Sequence, residues 1–175
     1  MSRCGSTLIS QTLGRLPHVL SISECPAIDA AIQAGRAEDL RKVVGALSHR
    51  DGGETHLVIK LDAWHIHDLP LIRSAYPEAP WIFVSRDPKE VLESQLRSPG
   101  RLASPGAVNP HALRASLSEI TLLSREEWCA RVLDGICTSA REFQHDPLGM
   151  YIDYRQLPGA IWQSVAPHFA LPHSA

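Results

Sequence analysis

Two short, almost uninterrupted apolar runs constrain the fold most: residues 56–61 (HLVIKL) and residues 81–84 (WIFV). A strand with one wet face alternates polar and apolar residues, whereas a strand covered on both faces is apolar throughout. Both runs are followed by a helical pattern, and Met150-Tyr151-Ile152 adds a third strand. A weaker alternation, HVLSIS at residues 18–23, fits a further short strand. Strands alternating with helices imply a parallel sheet clothed by helices on both sides. The length of 175 residues fits one domain, 1–175, with a sizeable core. An apolar content of 44% with a net charge of only −2 excludes a disordered chain.

The helices are legible from their apolar spacing. Leu8, Ile9, Leu13 and Leu16 share a face until Pro17 stops the pattern. Pro26 opens a second helix with Ile28, Ala31 and Ile32 inward, and residues 37–47 form a third through Leu40, Val43, Val44 and Leu47. A helix is expected over residues 66–75, and another from Pro88 with Val91, Leu92 and Leu96 inward. Residues 98–110 hold three Pro and two Gly and read as a loop. The longest helix, residues 126–143, lines up Trp128, Val132, Leu133, Ile136, Ala140 and Phe143, and residues 154–169 are expected to be mostly helical.

Composition narrows the function classes. Seventeen basic against nineteen acidic residues show no excess of positive charge for nucleic acid or an anionic membrane. No apolar run approaches the ~20 residues of a membrane span, and the first apolar stretch is too short and too broken for a signal peptide. Cys4, Cys25, Cys129 and Cys137 form no C-x-x-C pair, which predicts reduced thiols in a cytoplasm. His65 and His67, two apart on a helix, face different ways and lack a third ligand at a clear spacing, so no metal site is expected. Only three of the seventeen cations are lysines, Lys42, Lys60 and Lys89, and Lys60 ends a buried strand.

Two segments carry candidate chemistry. In Arg3-Cys4-Gly5-Ser6-Thr7-Leu8, Gly5 permits close backbone approach, Ser6 and Thr7 place hydroxyls and amides at a helix N-terminus that attracts anions, and Arg3 adds a cation. Taken alone, the segment also reads as an ordinary N-cap. In Ser85-Arg86-Asp87-Pro88-Lys89-Glu90-Val91-Leu92-Glu93-Ser94, Arg86 stands at the carboxyl end of a buried strand, where open α/β sheets bind ligands. Taken alone, Arg86 also reads as a partner for a neighbouring carboxylate.

The two segments in this order, with a lysine-bearing strand between them, resemble the sulfotransferase family, whose donor is 3′-phosphoadenosine 5′-phosphosulfate (PAPS). Arg3, Gly5, Ser6 and Thr7 match the family's 5′-phosphosulfate loop, with Cys4 in place of the usual Ser. Arg86, Pro88, Val91 and Ser94 match its R-x-P-x-x-V-x-x-S element for the 3′-phosphate. Residues 60–65 (KLDAWH) and 76–83 (YPEAPWIF) are similar to bacterial members. The resemblance implies a three-layer, P-loop-NTPase-like parallel sheet with helices on both faces, and a sulfuryl acceptor bearing a hydroxyl or amine. It implies no metal, and no nucleic-acid or membrane partner. The oligomeric state is left open.

Transfer to a hydroxyl needs a base within hydrogen-bond reach. Glu24 is the first choice: it follows a short strand, 21 residues after Arg3, where some members of the family carry a catalytic Glu. Asp62, two residues past Lys60, is second, and His65 is third. Each also reads as an ordinary surface or core residue. Lys60 is the candidate cation for the leaving oxygen. The family's strand before the phosphosulfate loop and its C-terminal Gly-rich, Lys-bearing segment have no counterpart here, so the chain is expected to be a fragment, or to start too late. Two rivals stand beside the sulfotransferase reading: a P-loop kinase, which the missing Gly-Lys-Ser/Thr disfavours, and a non-catalytic nucleotide-binding remnant.

Overall fold

The structure, a computed structural model, describes residues 3–49, 52–104 and 122–172. Residues 105–121, and with them the second part of the expected loop over residues 98–110, therefore lie outside the described residues. The protein is mixed α/β. In chain order the elements are α1 (Ser6–Leu13), β1 (Val19–Ser23), α2 (Pro26–Gln33), α3 (Ala37–Leu47), β2 (His56–Lys60) and a 3-10 turn (Ala63–Asp68). There follow α4 (Leu69–Ala75), β3 (Trp81–Ser85), α5 (Pro88–Arg97), a 3-10 turn (Arg101–Ala103), α6 (Arg125–Glu142) and β4 (Gly149–Asp153). A 3-10 turn (Tyr154–Gln156), a π-helical stretch (Ile161–Val165) and α7 (Ala166–His168) complete the chain.

The strands are parallel, as their spacing through helices requires, but they form two separate two-stranded sheets. β1 pairs with β2 in the register Val19–His56 to Ser23–Lys60, and β3 pairs with β4 from Trp81–Gly149 to Ser85–Asp153. β2 and β3 do not pair with each other.

Strand alternation divides the packing. On β1, Ser21 faces α1, where its hydroxyl donates to the Ser10 carbonyl at 3.2 Å, while Ile22 faces the other way. On β2, Val58 packs toward the larger core, and Leu57 and Ile59 pack against α2, α3 and α4. The β1–β2 pair therefore has helices on both faces. Gly14 lets α1 lie this close: a β-carbon there would stand 2.8 Å from the Ser21 β-carbon. The larger core gathers α1, β3, β4 and α6 around Trp128, whose indole N–H donates to the Leu102 carbonyl at 3.0 Å.

Three expectations need correction. Residues 56–60 read as a strand covered on both faces, yet all five are partly exposed, because β2 borders an open cavity on its free side. The helix expected over residues 66–75 starts at Leu69: residues 63–68 wind as a tighter 3-10 turn that leaves Trp64, His65 and Ile66 all buried. The stretch 154–169 is only partly regular, because Pro158 and Pro167 supply no amide for a continuous helical ladder. The other helices and strands fall within a few residues of their expected bounds, and α3 over the same eleven residues. Among the described residues, no helix is long and apolar enough to cross a membrane.

Candidate functional site

The loop before α1 is a turn of left-handed backbone at the N-terminus of a helix that no side chain caps. Arg3 and Gly5 both have left-handed backbone, at φ 62° and 87°. Glycine is required at position 5 twice over: by that φ, and because a β-carbon would stand 2.5 Å from Leu157 Cδ1. Gly5 occupies the N-cap position and has no side chain to cap the helix, and no acidic residue sits in the first turn of α1. The first-turn amides, with the Ser6 and Thr7 hydroxyls, thus form a positively polarised end. Ser6 and Thr7 follow the cap rather than providing it. Cys4 points the other way, fully buried in the larger core, and burial pushes its thiol above the ordinary range.

Arg86 comes to this loop from the end of β3. Asp87 caps α5 by accepting from the Lys89 amide at 2.8 Å, and Pro88 occupies the first turn. The cap sets where β3 stops and Arg86 projects. Its guanidinium is braced from three directions: Nε donates to Glu90 Oε2 at 2.7 Å, Nη1 reaches the Arg3 carbonyl at 3.5 Å, and the plane lies 4.7 Å from the Tyr154 ring centroid. Val91 anchors α5 in the core at 0% exposure, while Ser94 is partly exposed and lines the same cavity as Arg86. The Arg3 guanidinium donates to the Ser98 carbonyl at 2.9 Å, at the carboxyl end of α5, where a cation is favoured.

At the ends of β1 and β2 lies the acid–base cluster. Glu24, at φ 47°, is another non-glycine residue with left-handed backbone. Such conformations persist only where surrounding contacts impose them, and they concentrate at functional sites. Here the Glu24 amide donates to the Lys60 carbonyl at 2.8 Å, and Lys60 Nζ donates to Glu24 Oε1. Asp62 accepts from Arg101 Nη1 at 2.9 Å. Burial, then the neighbouring Glu24 charge, raise the Asp62 carboxyl above its ordinary range against the pull of Arg101. His65 is buried at 4% exposure with Nε2 3.0 Å from Asp29 and Nδ1 3.2 Å from Asp68. His67 turns elsewhere, with Nδ1 2.7 Å from Ser139 Oγ.

A cavity of about 860 Å³ joins these groups: Arg3, Gly5, Ser6, Thr7, Glu24, Lys60, Asp62, His65, Arg86 and Ser94 all border it. Of the candidate site residues, only Cys4 is turned away. Two contributors escaped sequence reasoning. Arg101, from the Pro- and Gly-containing stretch after α5, lies 5.0 Å over the Trp64 ring and binds Asp62, so its position depends on tertiary packing alone. Tyr154 reaches Arg86 from just past β4, and no local pattern marks it. Trp64 is 7% exposed and also borders the cavity. No family model matches the chain, and no curated protein matches it.

Proposed function

We propose that this chain is a sulfotransferase-type protein that binds PAPS and moves its sulfuryl group to a hydroxyl or amine. The observation that carries the reading is the meeting of the two candidate phosphate elements: Arg86 reaches the Arg3 carbonyl at 3.5 Å across 83 residues of sequence. The donor is anionic at two separated places, and two cation-bearing elements bordering one cavity suit it. In this reading the loop at Arg3, Gly5, Ser6 and Thr7 takes the 5′-phosphosulfate, and Arg86 with Ser94 takes the 3′-phosphate. The finer fold proposal, a three-layer P-loop-like sheet, is supported by the parallel pairing within both β1–β2 and β3–β4 and by helices on both faces of β1–β2.

For the transfer, the acceptor oxygen forms a bond to sulfur while the sulfur–oxygen bond to the phosphate breaks. The bonding pair leaves on the phosphate oxygen, and the acceptor proton passes to a protein base. Glu24 is the proposed base, because it borders the cavity with an exposed carboxylate on strained backbone. Lys60 supplies positive charge to the departing oxygen. Asp62 is the second candidate, its raised carboxyl lying nearer the pH at which a base is useful. His65, with a carboxylate at each ring nitrogen, suits a positioning role.

Calorimetric titration with 3′,5′-ADP, 5′-AMP and ATP tests the reading. Preference for 3′,5′-ADP over both supports it, and preference for ATP selects a kinase instead. Binding of 3′,5′-ADP with no consumption of PAPS across a panel of phenols, alcohols and amines selects a nucleotide-binding protein without transfer.

A further inference from the structure

Arg101 is an exposed side chain on an immobilised stretch of backbone. The side chain is 53% exposed, yet its chain neighbours are fixed from the interior. The Gly100 amide donates to Oε1 of Gln95, a fully buried residue of α5, at 3.0 Å. Leu102 and Ala103 are buried, and the Leu102 carbonyl accepts from the Trp128 indole. The Ser98 carbonyl is held by Arg3. An arginine on a loose surface turn gains little from an ion pair. Here other contacts already order the backbone, so the guanidinium pairs at a smaller entropic cost.

That guanidinium meets the acid–base cluster at two points. Nη1 donates to Asp62 Oδ2 at 2.9 Å, and Nη2 stands 3.9 Å from Asp29 Oδ2. The other Asp29 oxygen lies 3.0 Å from His65 Nε2, and Asp68 holds the far side of the same ring. Arg101 thus touches one candidate base directly and reaches another through Asp29. The Asp62 side chain is only 11% exposed. A carboxylate so far from water is held charged by a cation or takes up a proton. Glu24 and Asp29 act against its charge, Arg101 and His65 support it, and of these Arg101 makes the contact.

We propose that Arg101 is a positioning residue: its guanidinium holds the Asp62 carboxylate in place as a charged group at the border of the cavity, and through Asp29 it steadies His65. The Trp64 ring, 5.0 Å beneath, gives the planar guanidinium a surface on which to lie, which suits arginine better than the compact ammonium of lysine. Loss of a cation disfavours the ionised form of every nearby carboxylate. The expected direction of the effect is therefore the same whether Glu24 or Asp62 takes the acceptor proton. The role in turnover rests on the activity proposed above, whereas the charge held on Asp62 does not.

The test compares Arg101→Gln and Arg101→Lys in the full chain. NMR titration of the side-chain carboxyl carbons, with the Asp62 signal assigned by its loss in Asp62→Asn, reads the charge directly. The Asp62 midpoint is expected to shift to higher pH in Arg101→Gln and to return most of the way in Arg101→Lys. In a PAPS-consumption assay the acid limb of kcat/KM is expected to move the same way in Arg101→Gln and to return in Arg101→Lys, with 3′,5′-ADP affinity changed less than twofold. Arg101→Met, which keeps the length and the apolar stem, gives the same comparison if Arg101→Gln does not fold. An unchanged Asp62 titration overturns the proposal, as does an equal shift in Arg101→Lys. A shifted titration beside an unmoved acid limb also overturns it. A tenfold loss of 3′,5′-ADP affinity with the Asp62 titration unchanged assigns Arg101 to donor binding instead. If the wild-type chain consumes no PAPS, the proposed activity fails by itself, and the Asp62 titration alone decides the role of Arg101.

Discussion

Glu24 and Lys60 hold each other twice, through the Glu24 amide on the Lys60 carbonyl and through the Lys60 ammonium on the Glu24 carboxylate. The ammonium side chain is 12% exposed and the carboxylate 42%. The pair fastens the carboxyl ends of two neighbouring parallel strands at the border of the cavity. Glu24→Gln and Lys60→Gln are expected to be coupled in stability by about 1 kcal/mol in a double-mutant cycle followed by urea unfolding. In a PAPS-consumption assay, Glu24→Gln is expected to lower kcat by about 10²–10⁴-fold with 3′,5′-ADP affinity nearly unchanged. Full turnover in Glu24→Gln together with loss in Asp62→Asn would move the base to Asp62.

Arg86 distinguishes the two phosphate positions. Its truncation to Ala is expected to weaken 3′,5′-ADP about tenfold or more while leaving 5′-AMP close to its original affinity. Calorimetry on both nucleotides reads the difference. Equal losses would remove the 3′-phosphate role.

Gly5→Ala adds a β-carbon against Leu157 at a position with φ 87°. The loop then has to shift, and the expected cost is about 1–3 kcal/mol of stability from crowding, measured by denaturant unfolding. An unchanged midpoint would mean that the turn relaxes freely and does not set the geometry of the anion loop.

Two aspartates titrate with opposite consequences. Asp146 lies below its ordinary range, first because it accepts from the Leu148 amide, then through Trp81 and Arg73, so its contribution is present at neutral pH and is lost as pH falls through its folded value. Asp62 lies above its ordinary range, so its contribution is full under acid conditions and is lost as pH rises through its folded value. Thermal midpoints from pH 2 to pH 7 are expected to show Asp146→Asn flattening the acid side of the profile. Asp62→Asn is expected to remove a loss that wild type shows on the way to neutrality. The same direction of change in both variants would contradict these assignments.

How much of this was legible in the sequence depends on whether a feature is local. The eleven residues of α3 follow from the spacing of Leu40, Val43, Val44 and Leu47, and β3 from its apolar run between Pro80 and the Asp87 cap. The division into two sheets was not legible, because apolar content says that a strand is suited to cover on both sides but not which neighbour supplies it. Arg3, Glu24, Lys60 and Arg86 could be picked out from residue type and position. The left-handed backbone at Glu24 and the stacking of Arg101 on Trp64 could not, since both are imposed by contacts distant in sequence.

The split packing also sets an order of assembly during synthesis. The smaller apolar cluster, from Ile22 through Ile28, Leu40 and Leu57 to Tyr76, draws every member from one early stretch of chain, and the β1–β2 ladder closes within it. By contrast the β3–β4 ladder waits for Gly149 to Asp153, and the larger core waits for Trp128 and Ile161. A nascent chain emerging from the ribosome at ~5–20 residues per second can therefore bury its first cluster seconds before β4 exists. For that interval β3 lacks the ladder that β4 supplies, and its apolar run from Trp81 to Val84 is open to chance pairing.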